Sequence, residues 1–277
     1  MNFVDNLPDL LEHIIGVVAK VRTCRPLIHY VPNFVSAGDV ADAILAVGAS
    51  PIMAIDRAEV ADIQSKALAL NMGMPTPDKI TNLEVAGQAA AARKIPIILD
   101  PVGVGASPFR YSSAQHLLAR LPISILRLNK GEALALLGNN MANYGVDAPE
   151  RAEAETIDMA QALARRFHCT VAMTGVIAVI SDGARHLIVE NGHPWLARIT
   201  GTGCMVTGLC ATYAAVESDS WLAAASALLT FGVAGELGAE RAGGPGSLRS
   251  ALLDALYRLD GATLINRGRM RCVETAK

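Results

Sequence analysis

Charge is sparse in this sequence: Asp, Glu, Lys and Arg make up 18% of its 277 residues, and the formal balance is −2. With a pI near 6.3, the chain lacks the basic surface by which proteins hold nucleic acid or acidic membranes. Arg267, Arg269 and Arg271 form the one basic run and read as a solvated tail. The five cysteines, Cys24, Cys169, Cys204, Cys210 and Cys272, show no C-x-x-C pair and no zinc spacing, which fits free thiols in a reducing cytoplasm. No cleavable leader is expected, because Asp5 and Asp9 interrupt the start before a long apolar run. The longest late uncharged run, 221–235, falls short of the roughly 18 residues of a membrane span and reads as a buried helix. Neither a Gly-x-Ser-x-Gly elbow nor a Gly-x-x-x-x-Gly-Lys-Ser/Thr loop occurs. Repeats, low-complexity tracts and linkers are also missing, so a single domain over 1–277 is expected.

Apolar residues, by contrast, reach 52%, enough for a large core and for some surface buried between subunits. Three- and four-residue apolar spacing predicts a helix over 5–22. Further helices are expected over 35–47, 59–66, 78–93, 113–120, 132–137, 156–167, 205–216, 221–240 and 248–259. Short apolar runs at 26–31, 51–54, 67–71, 95–99 and 123–128 alternate with these helices, as do later runs at 170–173, 176–181 and 186–190. The polar stretch 138–153 reads as a surface loop, and Asp182-Gly183 as a hairpin turn. Such alternation predicts an α/β fold of three αβα layers, a mainly parallel sheet ending in antiparallel strands at one edge.

The turn Thr200-Gly201-Thr202-Gly203-Cys204 runs straight into the apolar stretch 205–215. Two glycines permit a tight turn with bared amides, and the following helix directs its unpaired N–H groups and positive dipole end to the same spot, an anion cradle with Cys204 at its mouth. In an open α/β sheet ligands bind beyond the carboxyl ends of the strands. That rule selects Asn33, Met53, Asn71 to Gly73, Asp100 to Gly105, Asn129 to Glu132, Thr174-Gly175 and the Gly201 turn. Asp100 and Glu132 are either two carboxylates converging on Mg²⁺ or, respectively, a turn residue and a first-turn helix acid. Arg127, in an apolar strand, either forks onto a phosphate or lies on an exposed face. His29 and His193 read as structural histidines.

Read together, the blocks Gly48-Ala49-Ser50-Pro51-Ile52-Met53, Leu99-Asp100-Pro101-Val102-Gly103-Val104-Gly105-Ala106, Asn191-Gly192-His193-Pro194 and Thr200-Gly201-Thr202-Gly203-Cys204 resemble the hydroxyethylthiazole kinase family of the ribokinase-like superfamily. Asn129-Lys130-Gly131-Glu132 is similar to the superfamily's Asn-x-x-Glu magnesium motif, and Cys204 stands where most of the superfamily has an aspartate base. The resemblance implies ATP-dependent phosphorylation of 4-methyl-5-(2-hydroxyethyl)thiazole in thiamine salvage. It also implies Mg²⁺ organised by Asp100 and Glu132, and a homotrimer whose sites are shared between neighbours. It assigns Arg127, Thr174, Thr202 and Gly203 to ATP, Met53, Gly201, Asn33 and Gly73 to the alcohol, and Cys204 to the substrate hydroxyl. Two departures fall on the alcohol side: Tyr30-Val31-Pro32-Asn33 replaces Asn-x-Thr-Asn, and Met74 replaces a threonine. A related heterocyclic alcohol as acceptor, or binding without catalysis, are the other readings these departures leave.

Overall fold

The computed structural model describes residues 7–138 and 149–273. Among them, nine strands form one sheet: β1 (Leu27–Val31), β2 (Ser50–Ile52), β3 (Ala67–Asn71), β4 (Ile97–Asp100), β5 (Ile125–Asn129), β6 (Thr170–Thr174), β7 (Ala178–Ser181), β8 (His186–Val189) and β9 (Met270–Val273). The order is β2-β1-β3-β4-β5-β6-β7-β8-β9, parallel through β6 and antiparallel beyond it. Parallel strands covered on both faces need unbroken apolar runs, and β3 is buried at every position.

One face carries α3 (Pro77–Ala92), α4 (Pro108–Arg120), α5 (Lys130–Leu137) and α6 (Pro149–Phe167) over a core containing Leu83, Leu117, Leu136 and Leu163. The other carries α1 (Leu7–Cys24), α2 (Ala37–Ala46), α7 (Thr202–Ala214), α8 (Ser220–Ala239), α9 (Pro245–Arg258) and α10 (Gly261–Arg267), with Tyr30, Tyr213 and Trp221 among their buried contacts. The three αβα layers expected from the alternation are therefore present.

Several local expectations are corrected. Residues 59–66 make turns, because the amides of Glu59 and Val60 both return to the Asp56 carbonyl and the turn does not propagate. The helix expected from 113 starts at Pro108, where Ser107 Oγ accepts from Arg110 N and proline occupies the first turn. Of the loop expected over 138–153, residues 149–153 are helical and 139–148 lie outside the described residues. The basic run is no free tail: Arg267 pairs with Glu240, Arg269 with Glu236, and Arg271 with Glu190 and Glu153, around the edge strand β9. Finally, α8 has 20 residues and is long and apolar enough to cross a membrane by length and composition, yet 83% of its most apolar window is buried inside the fold.

Candidate active site

The strand order reverses direction between β1 and β3, since β1 connects outward to β2 while β3 leads on to β4. Such a switch point opens a crevice beyond the carboxyl ends of the flanking strands. Asn71 ends β3 and pairs in register with Asp100, the last residue of β4; Asn129 and Thr174 likewise end β5 and β6 as a pair. The sequence thus sets four polar residues at the carboxyl ends of four neighbouring strands.

The α7 helix points its amino terminus at this crevice. Gly201 caps it in the left-handed region, φ +93°, and a Cβ there would lie 2.9 Å from Ser36 Cβ, so glycine is required by both backbone and space. The first helical hydrogen bond runs from Met205 N to Gly201 O, leaving the amides of Thr202, Gly203 and Cys204 ahead of the ladder. Cys204 Sγ accepts from Asn33 Nδ2 at 3.5 Å and from Asn71 Nδ2 at 3.2 Å. Asn33 is held in turn by Ser36, whose N and Oγ both donate to its Oδ1, while its Nδ2 donates to Asn71 Oδ1 at 3.0 Å. Gly73 is needed where it stands: its N donates to Asn71 Oδ1, and a Cβ would come within 2.6 Å of Asn33 Nδ2.

Beside the thiol lies a buried charge cluster. Asp100, with no exposure, accepts from Thr207 Oγ1 at 2.6 Å and Asn71 Nδ2 at 3.3 Å, and Arg127 Nη1 stands 3.5 Å from the same Oδ2. Its Oδ1 has no hydrogen-bond partner. Arg127 donates through Nη2 to Thr174 Oγ1 at 2.5 Å and packs flat on Gly203, where a Cβ would meet its Nη1 at 2.5 Å. Burial raises the Asp100 carboxyl above the ordinary carboxylate range despite the pull of Arg127, because the site is closed to water. Glu132 is raised as well, first by burial and then by the nearby Asp100 charge. Its Oε1 accepts from Gly103 N and its Oε2 from Asn129 N, while Asn129 Oδ1 accepts from Glu132 N, a capping box that opens α5.

Of the residues singled out by sequence, Cys204, Asn33, Gly73, Gly201, Gly203, Arg127, Thr174, Asp100 and Glu132 are brought together here. Thr202 is turned back, its hydroxyl donating to the Leu196 and Ile199 carbonyls, so only its amide remains for a ligand. Met53 packs half-buried at the end of β2, next to Ala54, whose carbonyl accepts from His29 Nε2. His29 and His193 are both satisfied locally, as expected.

Sequence reasoning missed Thr207, one helical turn beyond Gly203, and Lys79 in the first turn of α3. Lys79 Nζ donates to Pro32 O at 2.7 Å and Gly73 O at 2.5 Å, joining the two loops at the crevice, and burial brings its pKa down to about 8. The only signal for Lys79 was its spacing after the Thr76-Pro77 helix start. Met74, exposed and left-handed at φ +51°, sits between these bonds and the helix.

The Hydroxyethylthiazole kinase family profile matches residues 18–262. A hydroxyethylthiazole kinase of Herpetosiphon aurantiacus is 49% identical over 251 residues, spanning 91% of this chain and 92% of the relative. The solved structure of a hydroxyethylthiazole kinase protein from Pyrococcus horikoshii superposes with a TM-score of 0.88 at 38% identity, over 95% of this chain and 100% of that one. A ribokinase-like superfamily protein of Enterococcus faecalis shares the fold alone, at a TM-score of 0.65 and 13% identity over 91% of this chain and 95% of its own. A profile that takes in both the loops after β1 and β3 and the α7 cradle, with relatives near half identical, means that the chain belongs to the hydroxyethylthiazole kinase family.

Proposed function

We propose that this chain transfers the γ-phosphoryl group of ATP to the hydroxyl of 4-methyl-5-(2-hydroxyethyl)thiazole. The observation that carries the reading is the meeting of Cys204 Sγ, the free amides of the α7 start and the Asp100–Arg127 pair at one strand-end crevice. Phosphoryl transfer needs little covalent work from a protein and depends on positioning and on charge stabilisation. In this reading the alcohol lies against Asn33, Met53, Gly73 and Gly201, and its hydroxyl donates to Cys204 Sγ. Sulfur already serves there as an acceptor for two amides, and in its thiolate form it takes the proton as the oxygen attacks and ADP leaves. The amides of Thr202, Gly203 and Cys204 stabilise charge on the moving group. Arg127, steadied by Thr174, holds the nucleotide phosphates.

Asp100 and Glu132 suit Mg²⁺, which binds one or two protein carboxylates and completes its shell with water and phosphate oxygens. The partnerless Asp100 Oδ1 supports that use. Bound there, the ion would neutralise phosphate charge. Among the described residues no cluster of three or more His, Cys, Asp or Glu side chains could hold a metal, which fits an ion carried largely by the nucleotide. Phe34 and Val35, 72% and 61% exposed directly after Asn33, support a subunit contact in which a neighbour covers the alcohol side, in the homotrimer the family resemblance implies. Five cysteines with no disulfide between them suit a cytoplasmic enzyme.

The test is ATP consumption with the thiazole alcohol at millimolar concentration, in parallel with Cys204→Ala. The expected result is turnover by the wild type and a loss of about a hundredfold in kcat for the variant, the low end of what a general base supplies, with nucleotide binding by calorimetry intact. Absence of turnover removes the assignment; an undiminished variant removes Cys204 from it. A second acceptor, a related heterocyclic alcohol, is favoured by Tyr30, Pro32 and the left-handed Met74, and a panel of alcohols ranked by kcat/KM separates the two.

A further inference from the structure

Tyr30 lies on β1, completely buried, with its hydroxyl under the first turn of α7. It donates to the Cys204 carbonyl at 3.4 Å and accepts from Asn71 Nδ2 at 2.9 Å. The Asn71 carboxamide has only one sensible orientation. Gly73 N can only donate, and it reaches Oδ1 at 2.8 Å, so the oxygen must face that loop and the NH₂ the opposite side. There three acceptors compete for two hydrogens: the phenol oxygen at 2.9 Å, Cys204 Sγ at 3.2 Å and Asp100 Oδ2 at 3.3 Å. The phenol is nearest. It takes one hydrogen and leaves the other to be shared between the sulfur and the carboxylate.

We propose that Tyr30 is a positioning residue for phosphoryl transfer: its phenol fixes the Asn71 carboxamide, and through it the relation of Cys204 to Asp100. This deepens the reading of Cys204 given above and rests on it. The phenol is suited to the task because burial, and then the neighbouring thiol, push its own ionisation well above the usual range, so it stays a neutral donor and acceptor. A buried hydroxyl must also keep its partners, which ties the first turn of α7 to β3 through one oxygen. Tyr30 touches no reacting atom in this arrangement.

Tyr30→Phe keeps the ring and removes the oxygen. The expected outcome is a fall in kcat of about tenfold, the loss of one net hydrogen bond's worth of alignment, with KM for ATP within twofold of wild type. In an Asn71→Ala background the same substitution should have no further effect on kcat, since residues acting as one unit are non-additive. A kcat within twofold of wild type overturns the proposal, and so does a tenfold loss that persists on top of Asn71→Ala. If the phenylalanine variant fails to fold, 3-fluorotyrosine at position 30 keeps size and hydroxyl while weakening the oxygen as an acceptor; unchanged kcat then overturns it equally. Cys204→Ala measured alongside keeps the two ideas apart. An active Cys204→Ala sinks the role of the thiol, whereas an inactive one beside a wild-type-like Tyr30→Phe sinks only Tyr30.

Discussion

Replacing Gly203 by alanine adds one methyl group and asks whether the Arg127 guanidinium has anywhere else to go. The new Cβ would stand 2.5 Å from Nη1, 2.7 Å from Nη2 and 2.9 Å from Cζ, closer than real contacts allow. The backbone of α7 is not free to retreat, because Gly208 on the same helix packs so closely on α2 that a Cβ there would lie 2.9 Å from Val40 Cγ1. Arg127 must therefore move, and it is 7% exposed beside a carboxyl with no exposure at all. Moving it breaks the charged hydrogen bond to Thr174 and draws the cation away from Asp100. A hydrogen bond to a charged group is worth about 1.5–3 kcal/mol, and about 3 kcal/mol in the transition state is a loss of roughly a hundredfold in kcat/KM. Stability should fall too, by the same lost hydrogen bond less the up to about 1 kcal/mol that alanine regains over glycine within a helix. Steady-state kinetics with varied ATP, run beside thermal unfolding, reads both quantities. A variant with wild-type kcat and KM for ATP would show that the packing of Gly203 on Arg127 has no bearing on the nucleotide, and the reasoning would fail.

Two further outcomes are expected. Lys79→Met should raise KM for the alcohol at neutral pH and abolish a rise that the wild type shows above pH 8, where the ammonium begins to lose its proton and its bonds to Pro32 and Gly73 weaken. Because this pKa is lowered, the folded chain holds fewer protons than the unfolded one between about 8 and the ordinary 10.5, so stability should increase with pH across that window; KM profiles that superimpose would refute the assignment. Glu236→Gln, which disturbs the bonds from Asn191, Gly192 N and Arg269, should cost about 1–2 kcal/mol and lower Tm by roughly 2–4 °C while KM for ATP stays put. An unchanged Tm would mean that β9 is held by other contacts.

How much of this was legible in the sequence varies with the range of the interaction. Strands such as β3 and β4 announce themselves by short buried runs ending in a polar residue, and the capping box of Asn129 and Glu132 lies within four residues. The glycine turn before α7 is equally local. What could not be read is pairing across the chain. Arg267, Arg269 and Arg271 look like a solvated run until the fold brings Glu240, Glu236 and Glu190 to them. Thr207 has the look of an ordinary helical threonine, and only the packing of α7 on β4 sets its hydroxyl on Asp100. Residues 59–66 failed in the other direction, being helix-like in composition but without a propagating turn. Asn71 was marked by its place at a strand end, yet its link to Cys204 spans 133 positions and follows from topology alone.

The apolar character of α8 bears on how the molecule comes into being. Its neighbours α1, α7 and strands β5 to β8 precede it in the chain, and α9 and α10 follow. During synthesis the helix therefore leaves the ribosome into a trough already built, and the two later helices lay a roof over it. A nascent chain halted between α8 and α9 would display a twenty-residue greasy rod to chaperones and to the membrane-insertion machinery alike, so the interval between the emergence of α8 and that of α9 is when this chain is most exposed to misdirection.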